Sequence, residues 1–101
     1  MIKSELIQAL KNKLPELQGK DVELAMNCIL QQIEDALVQG ERIEVRGFGS
    51  FSCRHRPARL TRNPKTGVSV QSPATVRIHF KAGKDMMDRV NAGSDKYKIT
   101  E

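Results

Sequence analysis

Residues 45 to 84 hold nine Lys or Arg and no Asp or Glu. A stretch of this kind has no internal counter-ion. Its charges repel one another and oppose compaction, so it is suited to meet a polyanion, and nucleic acid is the leading candidate. The flanks have the opposite balance: five Lys or Arg against eight Asp or Glu in residues 1–44, and three against four in residues 85–101. The formal net charge of +5 therefore conceals a strongly basic segment on a mildly acidic body. Within that segment Arg54, Arg56, Arg59, Arg62 and Lys65 recur every two or three residues, around Asn63-Pro64-Lys65-Thr66-Gly67. Arginine suits a narrow minor groove, where the negative potential is strongest. A rigid apolar residue at the end of such a segment can enter a base step and kink the duplex. Pro64 has both properties. Taken alone it is more simply a turn proline, and the two roles are compatible.

Other chemistry is poorly served. Cys53 and His55 share a strand face, and with Cys28 and His79 they make a notional zinc set. No close ligand pair is present and Cys28 falls on an apolar helix, so no metal site and no cofactor are expected. Cys28 reads as a core thiol, and His55 as a phosphate contact when protonated. Asp85 and Asp88 lie one helical turn apart in a charge-rich helix, which is a solvated face. No Gly-rich phosphate loop precedes a helix and no Ser-His-Asp set exists, so no enzyme is expected. Phe48, Phe51 and Phe80 flank glycines and alternate with polar residues, so they read as core. An aromatic content of 4% is too low for an array of base-stacking platforms. Two cysteines are too few for a disulfide framework, and no apolar run exceeds three residues. No signal peptide or membrane span is expected, and a cytoplasmic chain with reduced thiols is.

These residues must be held by something. Leu6, Ile7, Leu10 and Leu14 recur at helical spacing over 3–14, with Ser4 a candidate N-cap and Pro15 a stop. Val22, Met26, Ile29, Ile33 and Leu37 predict a longer helix over about 19–38, ended by a left-handed cap at Gly40. The period then changes to two. Ile43 and Val45 alternate with Arg42, Glu44 and Arg46, Gly47-Phe48-Gly49 turns the chain, and Phe51 opens a second strand. Val76, Ile78 and Phe80 alternate with Arg77 and His79 in a third. Between them Pro57, Pro64 and Pro73 punctuate a long hairpin with its tip at 63–67, where Asn opens the turn, Pro fixes φ and Gly permits φ > 0. Pro57 and Pro73 remove ladder donors and suit an edge or a flexible ribbon. A short helix follows Gly83, with Met86, Met87 and Val90 as apolar contacts, and the tail from Ala92 onward reads as frayed. The fold class is α+β: a helical hairpin base, a small antiparallel sheet extended into a β-ribbon arm at about 54–75, and a C-terminal helix. With so much of the chain in the arm, the body is small enough that a dimer is expected.

Two motifs at this separation carry a family resemblance. Glu41-Arg42-Ile43-Glu44-Val45-Arg46-Gly47-Phe48-Gly49-Ser50-Phe51, followed by Arg62-Asn63-Pro64-Lys65-Thr66-Gly67 and Phe80-Lys81-Ala82-Gly83-Lys84, closely resembles the bacterial family of HU and integration host factor. The resemblance covers about residues 1–91, leaving 92–101 as a flexible tail. It implies an intertwined dimer that bends double-stranded DNA, with the arms in the minor groove and Pro64 intercalated. It further implies phosphate contacts at the helix N-termini near Lys3 and Ser4 and near Gly83 and Lys84, a role that free N–H groups make physically sound. Arg42, Gly47, Asn63, Arg77 and Lys81 complete the implied DNA-binding set. Within the family the chain is most similar to β-type members, in which the residue matching Arg46 reads the minor groove and the one matching Glu44 holds it. Read without the resemblance, Glu44 and Arg46 are a weak ion pair on a solvated strand. Ile2 departs from the usual capping Thr or Asn, and residues 54–61 do not follow the β-type arm closely. Pairing with itself or with an α-type integration host factor subunit stays open. So do a non-specific homodimeric nucleoid role and, from a different class, RNA binding or ribosome assembly.

Overall fold

A computed structural model of the chain describes residues 1–100 and divides it into two compact units, Met1–Ala36 and Leu37 onward. In the first, α1 spans Lys3–Lys13 and α2 begins at Gly19, running to Val38. Glu5 in the first turn of α1 and Lys11 and Lys13 in its last complement the helix dipole. Pro15 disfavours helical backbone at Leu14, which leaves the helix at φ −124°, ψ 59°. Helix α1 starts two residues earlier than a Ser4 cap requires. Ile2 occupies the extended capping position at φ −102°, ψ 170°, without a side-chain bond, and its carbonyl accepts from Leu6 N–H at 3.1 Å. Ser4 is thus helical and is not the N-cap, because a capping side chain must leave an extended residue.

Ile7 and Val22 are the only buried apolar side chains among the described residues. Of the α2 stripe, Met26 and Ile33 are half-buried while Ile29 and Leu30 are 57% and 40% exposed. Cys28 is exposed and so is not a core thiol within the single chain. It lies off the face that carries Val22, Met26 and Ile33.

The second unit is built on β1 (Ile43–Val45), β2 (Gly49–Arg56), β3 (Arg59–Arg62), β4 (Ser69–Ser72) and β5 (Thr75–Ala82), followed by α3 (Lys84–Ala92). Strands β1, β2 and β5 form one antiparallel sheet in that order, and β3 pairs with β4 in a second ladder. Gly40 caps α2 at φ 78°, its N–H donating to Leu37 O at 3.0 Å. The β1–β2 connection is a turn closed by Phe48 N–H on Val45 O at 2.9 Å. Its positive φ falls on Gly47 alone, at 83°, which is type II geometry. Phe80 stacks obliquely on both Phe48 and Phe51, with centroids 5.5 and 4.8 Å apart. The three rings cluster, but in the single chain they are not the buried core expected of them: Phe48 is 48% and Phe80 39% exposed, and only Phe51 is half-buried. Cys53 donates its thiol to Leu37 O at 3.3 Å. After α3 the chain makes a further turn, with Lys96 and Tyr97 N–H both directed to Gly93 O.

Candidate nucleic-acid interface

The strand registers sort the basic residues onto a face. Phe51 pairs with Phe80 and Cys53 with Ile78, so alternation sends Ser50, Ser52, Arg54 and Arg56 to the other side with Lys81, His79, Arg77 and Thr75. Glu44 pairs with Ser50 and joins that polar face at its inner end. Arg42, Glu44, Arg46, Gly47, Ser50, Lys81 and Lys84 line one open concave surface. Most of the body residues selected from the sequence thus converge in space, from two separate stretches of chain. Lys3 and Ser4 are exposed in the first turn of α1, in the helical unit.

Gly83 N–H donates to Phe48 O at 2.8 Å, which ties the start of α3 to the β1–β2 turn and brings Lys84 beside Arg46 and Lys81. Gly49 makes the close packing possible. A Cβ there would stand 2.6 Å from Lys81 O and 2.7 Å from Phe80 Cζ. Ser50 was not selected from the sequence. The alternation around Phe51 would have placed it on the polar face, but a small hydroxyl carries no charge signal. His79 was weighed only as a metal ligand, yet it lies on the same face, paired with Ser52.

The arm carries Arg54, Arg56, Arg59, Arg62, Asn63, Pro64, Lys65 and Arg77, all exposed. Its tip is densely bonded. Asn63 N–H donates to Val68 O at 2.8 Å, Asn63 O accepts from Gly67 N–H at 2.8 Å, and Asn63 Oδ1 accepts from Lys65 N–H at 2.9 Å. Gly67 takes the φ of 72° that the turn needs. Thr66 Oγ1 accepts from Val68 N–H at 3.3 Å. Pro64 is therefore held between two anchored residues at the extremity of the hairpin. Just below, Thr61 Oγ1 donates across the ladder to Val70 O at 3.2 Å.

No helix among the described residues is long and apolar enough to cross a membrane. Nor do they contain a cluster of three His, Cys, Asp or Glu able to hold a metal ion.

Residues 1–91 match the family model described as bacterial DNA-binding protein. The integration host factor subunit beta of Alkalilimnicola ehrlichii is 56% identical over 92% of this chain and 93% of its own length. The Anabaena HU–DNA cocrystal structure superposes with a TM-score of 0.79 at 37% identity, covering 89% of this chain and 97% of that one. HU from Thermotoga maritima gives 0.60 at 30% identity, over 89% and 98% respectively.

Proposed function

As the chain belongs to the bacterial DNA-binding protein family, we propose that it is an architectural protein of the integration host factor β type, which binds and bends duplex DNA without catalysing a reaction. The construction of the arm tip carries this reading. An apolar residue is fixed at the far end of a basic ribbon by three hydrogen bonds through Asn63, where it has no core to join. The arm enters the minor groove, its arginines contact phosphates and groove edges, and Pro64 wedges a base step. Unstacking costs a few kcal/mol per step in minor-groove architectural proteins, a group for which HU and integration host factor are standard examples. The contacts that the bend permits offset that cost.

The concave surface lined by Arg42, Glu44, Arg46, Lys81 and Lys84 takes the duplex beside the body, and Arg46 reads the groove there with Glu44 behind it. The helix N-termini at Lys3–Ser4 and at Gly83–Lys84 each supply phosphate contacts. The working unit is a dimer. The half-exposed α2 stripe in the helical unit, and separately Phe48 in the other unit, offer apolar surface that a second chain of the same fold would cover. The name subunit beta, borne by the relative, supports an α-type chain as that partner, with a second copy of this chain as the other form. The site of action is the nucleoid.

FRET between the ends of a duplex tests the wedge. Pro64→Ala is expected to reduce the bend while leaving most of the affinity. An unchanged bend removes Pro64 from the mechanism. Affinity is expected to fall steeply with salt as phosphate contacts release counterions, and a flat response removes the electrostatic basis.

A further inference from the structure

The arm has a joint. The inner ladder ends at Arg56 paired with Thr75, and the outer begins at Arg59 paired with Ser72. The register is the same on both sides, so two rungs are missing: Pro57 opposite Ala74, and Ala58 opposite Pro73. Each absent rung contains one proline, which lacks the N–H that a ladder needs. The break is therefore written into both strands at one level. The segments beyond it are internally braced, by Thr61 across the outer ladder and by Asn63 at the tip.

A notch opens at this joint, bordered by Arg56, Pro57, Arg59, Pro73, Thr75 and Arg77. On an uninterrupted strand Arg56 and Arg59 would point to opposite faces. Here both border one concavity, together with Arg77 from the other strand. No carboxylate occurs anywhere between residues 45 and 84 to neutralise them. Three arginines thus border one notch without a counter-ion, and guanidinium is the side chain best shaped to hold phosphate oxygens.

We propose that the joint is a seat for a single backbone phosphate of the bound duplex, shared by Arg56, Arg59 and Arg77, and that its occupation fixes the angle between the outer arm and the body. This rests on the DNA-bending reading above. The seat makes a count that separate contacts would not. The slope of log K against log salt falls by about 0.9 for each phosphate lost. Replacing all three residues (Arg56→Gln, Arg59→Gln, Arg77→Gln) is expected to lower the slope by about 0.9 if they share one phosphate, against about 2.7 if each holds its own.

The three variants, singly and together, are to be titrated on one duplex carrying a FRET pair, at several salt concentrations, with circular dichroism verifying the fold. Sharing predicts that each single replacement, which leaves two guanidiniums on the phosphate, lowers the slope by far less than about 0.9, so that the triple loss exceeds the sum of the single ones, and that the triple variant gives a broadened distribution of end-to-end distances. A slope change near zero, or one of two phosphates or more, overturns the seat, as does simple additivity. If the unsubstituted protein binds but does not bend the duplex, the functional reading fails instead, so the two failures are distinguishable.

Discussion

Gly49→Ala is expected to be among the most disruptive single-methyl changes in this chain. The added Cβ would stand 2.6 Å from Lys81 O and 2.7 and 2.8 Å from Phe80 Cζ and Cε1. The Phe80 ring has some freedom to turn away. The Lys81 carbonyl has none, because its residue pairs with Ser50 in the β2–β5 ladder and the neighbouring pair is Gly49 with Ala82. Overpacking a well-packed site costs about 1–3 kcal/mol, and a fixed backbone atom favours the middle or upper part of that range. At about 2 kcal/mol, and about 4–8 °C per kcal/mol for a domain of this size, the melting temperature should fall by about 8–16 °C. Thermal unfolding followed by circular dichroism measures this, at one fixed protein concentration because association shifts the midpoint. Gly47→Ala is the comparison. Its Cβ meets nothing within 4 Å, but φ of +83° is left-handed, so only the conformational cost of about 1–2 kcal/mol applies. Adding Phe80→Leu to Gly49→Ala should not recover stability, since the carbonyl remains. A Gly49→Ala variant melting within about 2 °C of the parent, far below the expected shift, would refute the argument that this contact sets the sheet.

Three further outcomes are expected. Arg46→Ala should flatten the preference among DNA sites while leaving non-specific affinity largely intact, measured by competition between a preferred and a random duplex; equal loss on both would reduce Arg46 to a phosphate contact. Asn63→Ala removes only the 2.9 Å bond to Lys65 N–H, worth about 1 kcal/mol. It should leave the melting temperature unchanged and lower the FRET-measured bend, because the loss is confined to the tip; a destabilised body would contradict that. Finally, the melting midpoint should rise with protein concentration, as it does for a dimer whose chains share a core, and a midpoint independent of concentration would remove the dimer.

Periodicity and turn chemistry made much of this architecture readable. The four-and-three spacing from Val22 to Leu37 locates α2, and Asn63-Pro64-Lys65-Thr66-Gly67 locates the tip, because both signals are local and the structure satisfies them locally. The start of α1 was not readable from Ser4, since a serine one residue inside a helix and a serine at its cap look alike in sequence. Cys28 was misplaced for a different reason. A helix that is nearly apolar on one side offers no sharp edge to its stripe, and in the single chain only Val22 of that stripe is buried. The concave surface around Arg46 depends on register. Nothing in the order of residues states that Ser50 stands between Lys81 and Glu44, or that Gly83 N–H closes on Phe48 O. The joint in the arm lay between these cases. Both prolines were visible, but that they break opposing rungs follows only from the pairing.

That pairing also explains why so basic an arm forms a ladder at all. Arg54 is directly opposite Arg77, and like charges in that position destabilise an antiparallel pair. The inner ladder tolerates them because its base is anchored by Phe51 against Phe80 and Cys53 against Ile78. Beyond Arg56 no such apolar pairs remain, the two prolines interrupt the ladder for two rungs, and it resumes only at Arg59 with Ser72. Outward from the rings, apolar support declines while positive charge does not. The free arm is therefore weakest where a bound phosphate would do most to order it. DNA binding and arm ordering should then be one coupled event, with amide exchange over residues 54–77 slowing on DNA while exchange in the Phe51–Phe80 region is unaffected. Equal protection of the arm with and without DNA would break that coupling.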